Sequence, residues 1–175
     1  MGVTGGCSIA SCEVPDPYWG RIWHPGKGLW PPPGMEGGLR EGTEMERITV
    51  RTSKRLEMID ITEQVGQALA RLGIERGGCV VYVPHTTAGV TVNEGADPDV
   101  CRDILEHLSR LVPNKGDYHH GEGNSDSHIL TSLVGSSQFL LVEGGRIALG
   151  TWQRVFLCEF DGPRIRNVWV QSLAG

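Results

Sequence analysis

Four strand-like runs follow one another in the C-terminal third of the chain, at residues 139–142, 146–149, 153–160 and 165–171. They are rich in β-branched and aromatic residues and carry no helical period between them. Runs this close in sequence pair most readily as antiparallel neighbours. Upstream, residues 47–52 and 57–62 alternate apolar and polar side chains as half-buried strands do, and residues 79–83 and 90–93 predict two more strands. Helices interrupt this series. Thr62 is expected to cap a helix carrying Val65, Leu69 and Leu72 on one face and stopping at Gly73. Asp97-Pro98 opens a second helix, with Val100, Ile104, Leu108 and Leu111 on one face and His107 packing at its margin. A short third helix is expected over residues 127–134. The pattern predicts an α+β fold with a mixed or antiparallel sheet, curled toward a barrel or sandwich, and two or three packed helices.

Residues 1–44 have a different composition. They hold Pro31-Pro32-Pro33-Gly34 and many glycines with no sustained period, which predicts a flexible extension ahead of a single domain over residues 45–175. Docking through Trp19, Trp23 or Trp30 and natural synthesis beginning at Met45 are the alternatives for that segment.

Composition narrows the function classes. Sixteen Lys plus Arg against 21 Asp plus Glu give a net charge of −5, which argues against a phosphate-backbone binder and hence a nucleic-acid partner. No apolar run is long enough for a membrane span, so no membrane partner is expected. Five cysteines without tight spacing, and no secretory leader, predict a cytoplasmic protein.

Polar side chains recur at the ends of the predicted elements. His85-Thr86-Thr87 follows one strand, and Asn93-Glu94 ends the next. If the Ala88-Gly89 step reverses the chain, these groups share one rim, where an imidazole and a carboxylate suit acid–base chemistry or a divalent metal. His120 and His128 flank a glycine-bearing loop that contains Asn124 and Ser125, whose helix start attracts anions. His85, His120 and His128 with Glu94 match the ligand types of zinc, although the spacing fits no compact zinc motif and a metal-free histidine cluster is the rival. Trp152 and Gln153 follow Gly150, and Arg146, Arg154, Arg164 and Arg166 are the nearby cations, with a solvated sheet face as their bland alternative. No nucleophile elbow, dinucleotide fingerprint, CxxC pair or organic-cofactor motif is present.

Together His85-Thr86-Thr87-Ala88-Gly89-Val90-Thr91-Val92-Asn93-Glu94, Tyr118-His119-His120, Gly123-Asn124-Ser125-Asp126-Ser127-His128 and Gly150-Thr151-Trp152-Gln153 resemble the YjbQ family, also called the secondary thiamine-phosphate synthase family. The resemblance runs from about Met45 to the C-terminus. It implies a barrel-like α+β domain, usually a homotrimer. It also implies a transferase of thiamine biosynthesis that joins a hydroxymethylpyrimidine diphosphate to a thiazole phosphate and releases pyrophosphate. On that footing Glu94, His85 and Asn93 are expected to be catalytic. Thr86, Thr87, Asn124, Ser125, Trp152, Gln153 and Arg146 are expected to bind a phosphorylated small molecule, and His85, His120 and His128 to hold zinc or magnesium. A metal-dependent hydrolase and a non-catalytic metal- or ligand-binding oligomer are the alternatives.

Overall fold

The computed structural model describes residues 45–173, so the predicted extension over residues 1–44 lies outside the described residues. The elements run β1 (Met45–Arg51), β2 (Glu57–Asp60), α1 (Thr62–Leu72), β3 (Arg76–Tyr82), β4 (Ala88–Glu94), α2 (Pro98–Leu111), α3 (Ser125–Val134), β5 (Ser137–Glu143), β6 (Arg146–Ile147), β7 (Gln153–Glu159) and β8 (Ile165–Leu173). The strands form two antiparallel sheets, ordered β1-β8-β3-β5-β6 and β2-β7-β4. This is the expected curled α+β fold.

Strand β7 explains how the layers assemble. Every residue from Val155 to Glu159 is buried, so the strand has no solvent face. Its pleat sends Val155 and Leu157 into a main core with Val81, Val168 and Val170 of the larger sheet and Val65 and Leu69 of α1. Phe156 and Cys158 point the other way, toward Val112, Leu130 and Leu108 beneath α2 and α3. The smaller sheet is therefore sandwiched, which accounts for a continuous apolar run where an alternating one would leave a face in water.

The helix starts depart from expectation. Thr62 is the first helical residue and not the cap. Asp60 Oδ1 instead accepts from Thr62 N at 2.9 Å, while Thr62 Oγ1 accepts from Val155 N at 2.8 Å and ties α1 to β7. Asp97 does cap α2, accepting from Asp99 N at 2.9 Å. His107 is exposed on α2 instead of packed.

The Ala88-Gly89 step also differs: it opens β4 and does not reverse the chain. Gly89 is needed for close approach, because a Cβ there would lie 2.5 Å from the Gly135 carbonyl oxygen, just past α3. Val90 N donates to that same oxygen at 3.0 Å. Gly89→Ala is expected to cost about 1–3 kcal/mol through overpacking against backbone, checked by urea denaturation beside the parent.

Candidate functional site

Two cavities share one histidine. The first, about 440 Å³, is lined by Asp117, Tyr118, His119, His120, Ser125, His128 and Ile129. The other, also about 440 Å³, is lined by Tyr82, His85, Thr86, His128, Thr131, Ser132, Gly135 and Ser136. His128 borders both, so His120, His128 and His85 lie along one stretch of surface. The His120 and His128 rings meet edge to face with centroids 5.3 Å apart. His120 Nε2 also lies 3.7 Å from Glu122 Oε2.

Helix α3 presents His128, and polar groups in its first turn fix its position. Asp126, 1% exposed, accepts from Arg55 Nη2 at 3.0 and 2.9 Å. Ser127 Oγ donates to the Phe160 carbonyl at 2.6 Å, and Asn124 Nδ2 donates to Asp161 Oδ2 at 3.1 Å. These bonds hold the start of the helix against the end of β7, with Leu130 filling the core below. One turn on, the buried hydroxyl of Thr131 has no hydrogen-bond partner and belongs to a residue lining the His85 cavity. A buried hydroxyl without a partner costs free energy.

His85 is held from the other side. Strand β3 stops pairing with β8 at Tyr82–Trp169, which leaves the next amides of β8 without a strand on that edge. The His85 ring takes the strand's place: its Nε2 accepts from Asn167 N at 2.8 Å. An accepting Nε2 puts the ring proton on Nδ1. Protonating Nε2 would set a donor against a donor. Burial lowers the His85 pKa first, the Arg166 guanidinium lowers it further, and the Glu159 carboxylate pulls it partly back up. Its titration midpoint, followed by ring-proton NMR, is expected below the ordinary imidazole value of 6.5. With the folded value depressed, the unfolded chain binds more protons between the folded midpoint and 6.5, so His85 contributes stability that is complete above 6.5. That stability is lost as pH falls through the folded midpoint. A parent-minus-His85→Asn difference in melting temperature should shrink across that acidic window.

Behind His85 lies a buried ion pair. Glu159 is 0% exposed and Arg166 is 4% exposed. Arg166 Nε donates to Glu159 Oε2 at 2.7 Å, and its Nη2 bonds Glu159 Oε1, completing a fork. The same Nη2 donates to Thr87 Oγ1 at 2.8 Å and to the Thr87 carbonyl at 3.3 Å. Thr52 Oγ1 and Asp161 N supply two more donors to the carboxylate, at 3.0 and 2.8 Å. The sequence reading passed over Glu159 and gave Arg166 a solvated sheet face as its bland alternative. The available signal was a lone acid inside the apolar run from Val155 to Phe160 and a lone base in register with Val168 and Val170 on the inward face.

The expected site residues thus fall in three places. His85, Thr86, Ser125, His120 and His128 line the paired cavities, with Thr87 and Asn124 buried or half-buried just behind them. Asn93, Glu94, Trp152 and Gln153 lie at the opposite end of β4 and β7, where Glu94 pairs with Gln153 and Gly95 N donates to the Trp152 carbonyl at 2.9 Å. Seven residues of strand separate that end from the His85 end, or about 20 Å. Arg146 borders another cavity, with Thr62, Glu63 and Gln67.

This geometry does not fit the expected metal centre. Among the described residues no three His, Cys, Asp or Glu side chains stand close enough to hold an ion. Glu94 is remote from the histidines. His85 has no free lone pair, since Nε2 accepts from Asn167 and Nδ1 carries the proton.

Comparison with known proteins decides the family. The model described as UPF0047 protein YjbQ-like matches residues 46–175. The chain belongs to the YjbQ/UPF0047 family. It is 49% identical to UPF0047 protein MJ1081 of Methanocaldococcus jannaschii over 127 residues, covering 73% of this chain and 92% of that protein. UPF0047 protein YugU of Bacillus subtilis is 45% identical over 130 residues, covering 74% and 98%. A crystal structure of a family member from Clostridium acetobutylicum superposes with TM-score 0.70 at 51% identity, covering 71% of this chain and 97% of that one. One from Sulfolobus solfataricus, called a protein of unknown function, gives TM-score 0.71 at 32% identity, covering 74% and 95%.

These findings overturn the expected activity. The relatives carry the UPF0047 designation alone and one solved structure is called a protein of unknown function, so none of them supports thiamine-phosphate synthesis. The transferase and thiamine-biosynthesis assignments are therefore withdrawn. Among the described residues no helix is long and apolar enough to cross a membrane.

Proposed function

We propose that this family member is a histidine-based acid–base enzyme acting on a small polar molecule that carries a hydroxyl or carbonyl group. The observation that carries this is His128, which borders both cavities, touches the His120 ring and shares the second cavity with His85. No carboxylate or cation lines that second cavity, whose polar groups are hydroxyls and imidazoles. Its lining therefore favours hydrogen-bonding groups over strong charge. His128 is the proton-transfer group, and His85, as an Nδ1–H donor, orients the ligand.

The test is a depletion screen. The chain is incubated with mixtures of small hydroxy and carbonyl metabolites, and losses are followed by mass spectrometry beside His128→Ala. At least one compound should be consumed by the parent and about 10²–10⁴-fold more slowly by the variant. No depletion, or equal depletion by both proteins, contradicts the proposal.

The chain is further proposed to work as a homotrimer. The outward face of the larger sheet carries Phe139, Leu141, Tyr82 and Leu173, at 59%, 61%, 40% and 41% exposure, with Trp169 packed on Tyr82 at 5.7 Å. So many large apolar groups on one face suit burial against further copies. Tyr82 also lines the His85 cavity, so the proposed interface borders the cleft. A cytoplasmic, reducing location is supported by Cys79 and Cys158, free thiols that burial pushes up to about 11 and about 12, leaving them unreactive.

A further inference from the structure

We propose that the buried Glu159–Arg166 pair is a positioning device that fixes His85 in its Nδ1–H tautomer. The functional meaning of this rests on the cleft proposed above, but the device itself is a property of the resting protein.

The pair is an expensive way to fill a core. Two desolvated charges rarely stabilise a fold more than apolar groups of the same volume would. Here they are fully buried on the inward side of β7 and β8, among valines. What they accomplish is a weld between four segments: the end of β7, the residue after β1, β8 and the loop before β4. Glu159 ends β7, and its carboxylate takes bonds from Thr52, Asp161 N and both sides of the Arg166 fork. Arg166 then reaches across to Thr87, gripping both its hydroxyl and its carbonyl.

Thr87 and Asn167 bracket His85. Thr87 is two residues after it on the loop between β3 and β4, and Asn167 follows Arg166 on β8 and donates to the ring. Phe160 N also holds the Thr87 carbonyl, at 3.2 Å, and the guanidinium alone holds the Thr87 hydroxyl, so the loop that carries His85 is tied through Arg166 to the amide that His85 must accept from. With both ends held, Nε2 stays committed as acceptor and the proton stays on Nδ1. A histidine side chain in water favours the opposite form, with the proton on Nε2, so the tautomer reports directly on the device. The groups around the ring are Arg166 from β8 and Glu159 from β7, with His128 from α3 and Tyr82 from β3 across the cavity.

The test is long-range proton–nitrogen NMR of histidine-labelled full chain, without any substrate. In the parent, His85 should show a pyridine-like Nε2 and a pyrrole-like Nδ1 as a single tautomer. Thr87→Val keeps the shape and the Glu159–Arg166 pair while removing one bond of the weld, so it should fold. It should turn the His85 signal into a mixture of both tautomers and raise its titration midpoint. Glu159→Gln, if folded, should mix the tautomers more strongly; because the Glu159 carboxylate pulls the His85 midpoint up, its loss opposes any rise, and only the tautomer is read in that variant. A parent His85 with its proton on Nε2 would overturn the proposal, as would an unchanged single Nδ1–H tautomer in folded Thr87→Val protein. Failure of the metabolite screen would leave this result standing, because the tautomer is measured in the resting protein.

Discussion

Arg166→Ala is expected to lower folding stability by about 3–5 kcal/mol, the usual cost of leaving one partner of a buried pair uncompensated. The variant strands the Glu159 carboxylate at 0% exposure with only Thr52 Oγ1 and Asp161 N as donors. It also removes the Arg166 Nη2 bonds to the Thr87 hydroxyl and carbonyl, leaving that carbonyl with Phe160 N at 3.2 Å. A double replacement, Arg166→Met with Glu159→Leu, removes both charges and keeps comparable volume, so most of that loss should be recovered. Urea denaturation of the three proteins checks both parts. A single variant within about 0.5 kcal/mol of the parent, the range of ordinary surface substitutions, would mean the pair is not a structural anchor. The double variant separates stability from function: it should fold but lose the fixed His85 tautomer.

The second large effect concerns assembly. Changing Phe139 and Leu141 together to aspartate is expected to convert the proposed trimer into monomers in sedimentation equilibrium. Both side chains stand outward on β5, at 59% and 61% exposure, so the substitutions should spare the core made by Leu140 and Val142 on the other face. Burying a carboxylate against an apolar partner face costs several kcal/mol unless it is paired. A copied interface repeats that cost at each contact. A parent that sediments as a monomer, or a doubly substituted protein that remains a trimer, would contradict the assignment of this face.

Most of the fold was legible because burial and pleat write the same alternation. Ile48 and Val50 against Arg47 and Thr49 predicted β1 with its inward face, and Pro98 after Asp97 located α2 within a residue. Even the double burial of β7 is visible as an unbroken apolar run. The site was less legible, because hydrogen bonds across the sheets carry no sequence period. Gly89 looked like a turn because glycine's two uses, left-handed backbone and close approach, are indistinguishable without the neighbour. That neighbour is the Gly135 carbonyl, 46 residues away in the chain. The misread glycine brought Glu94 to the wrong end of β4 and so suggested a ligand set that the fold separates. Likewise, Arg166 became meaningful only once β8 was seen to face Glu159 of the other sheet.

The cleft between His85 and His128 is expected to hold a small polar ligand. The most direct measurement is a crystal structure of the chain soaked in the same hydroxy and carbonyl metabolite mixtures. An ordered molecule is expected between the two imidazoles, within hydrogen-bond reach of His128 and of His85 Nδ1. A molecule bound beside Glu94 and Trp152 instead, with the His85 cavity left to water, would contradict it.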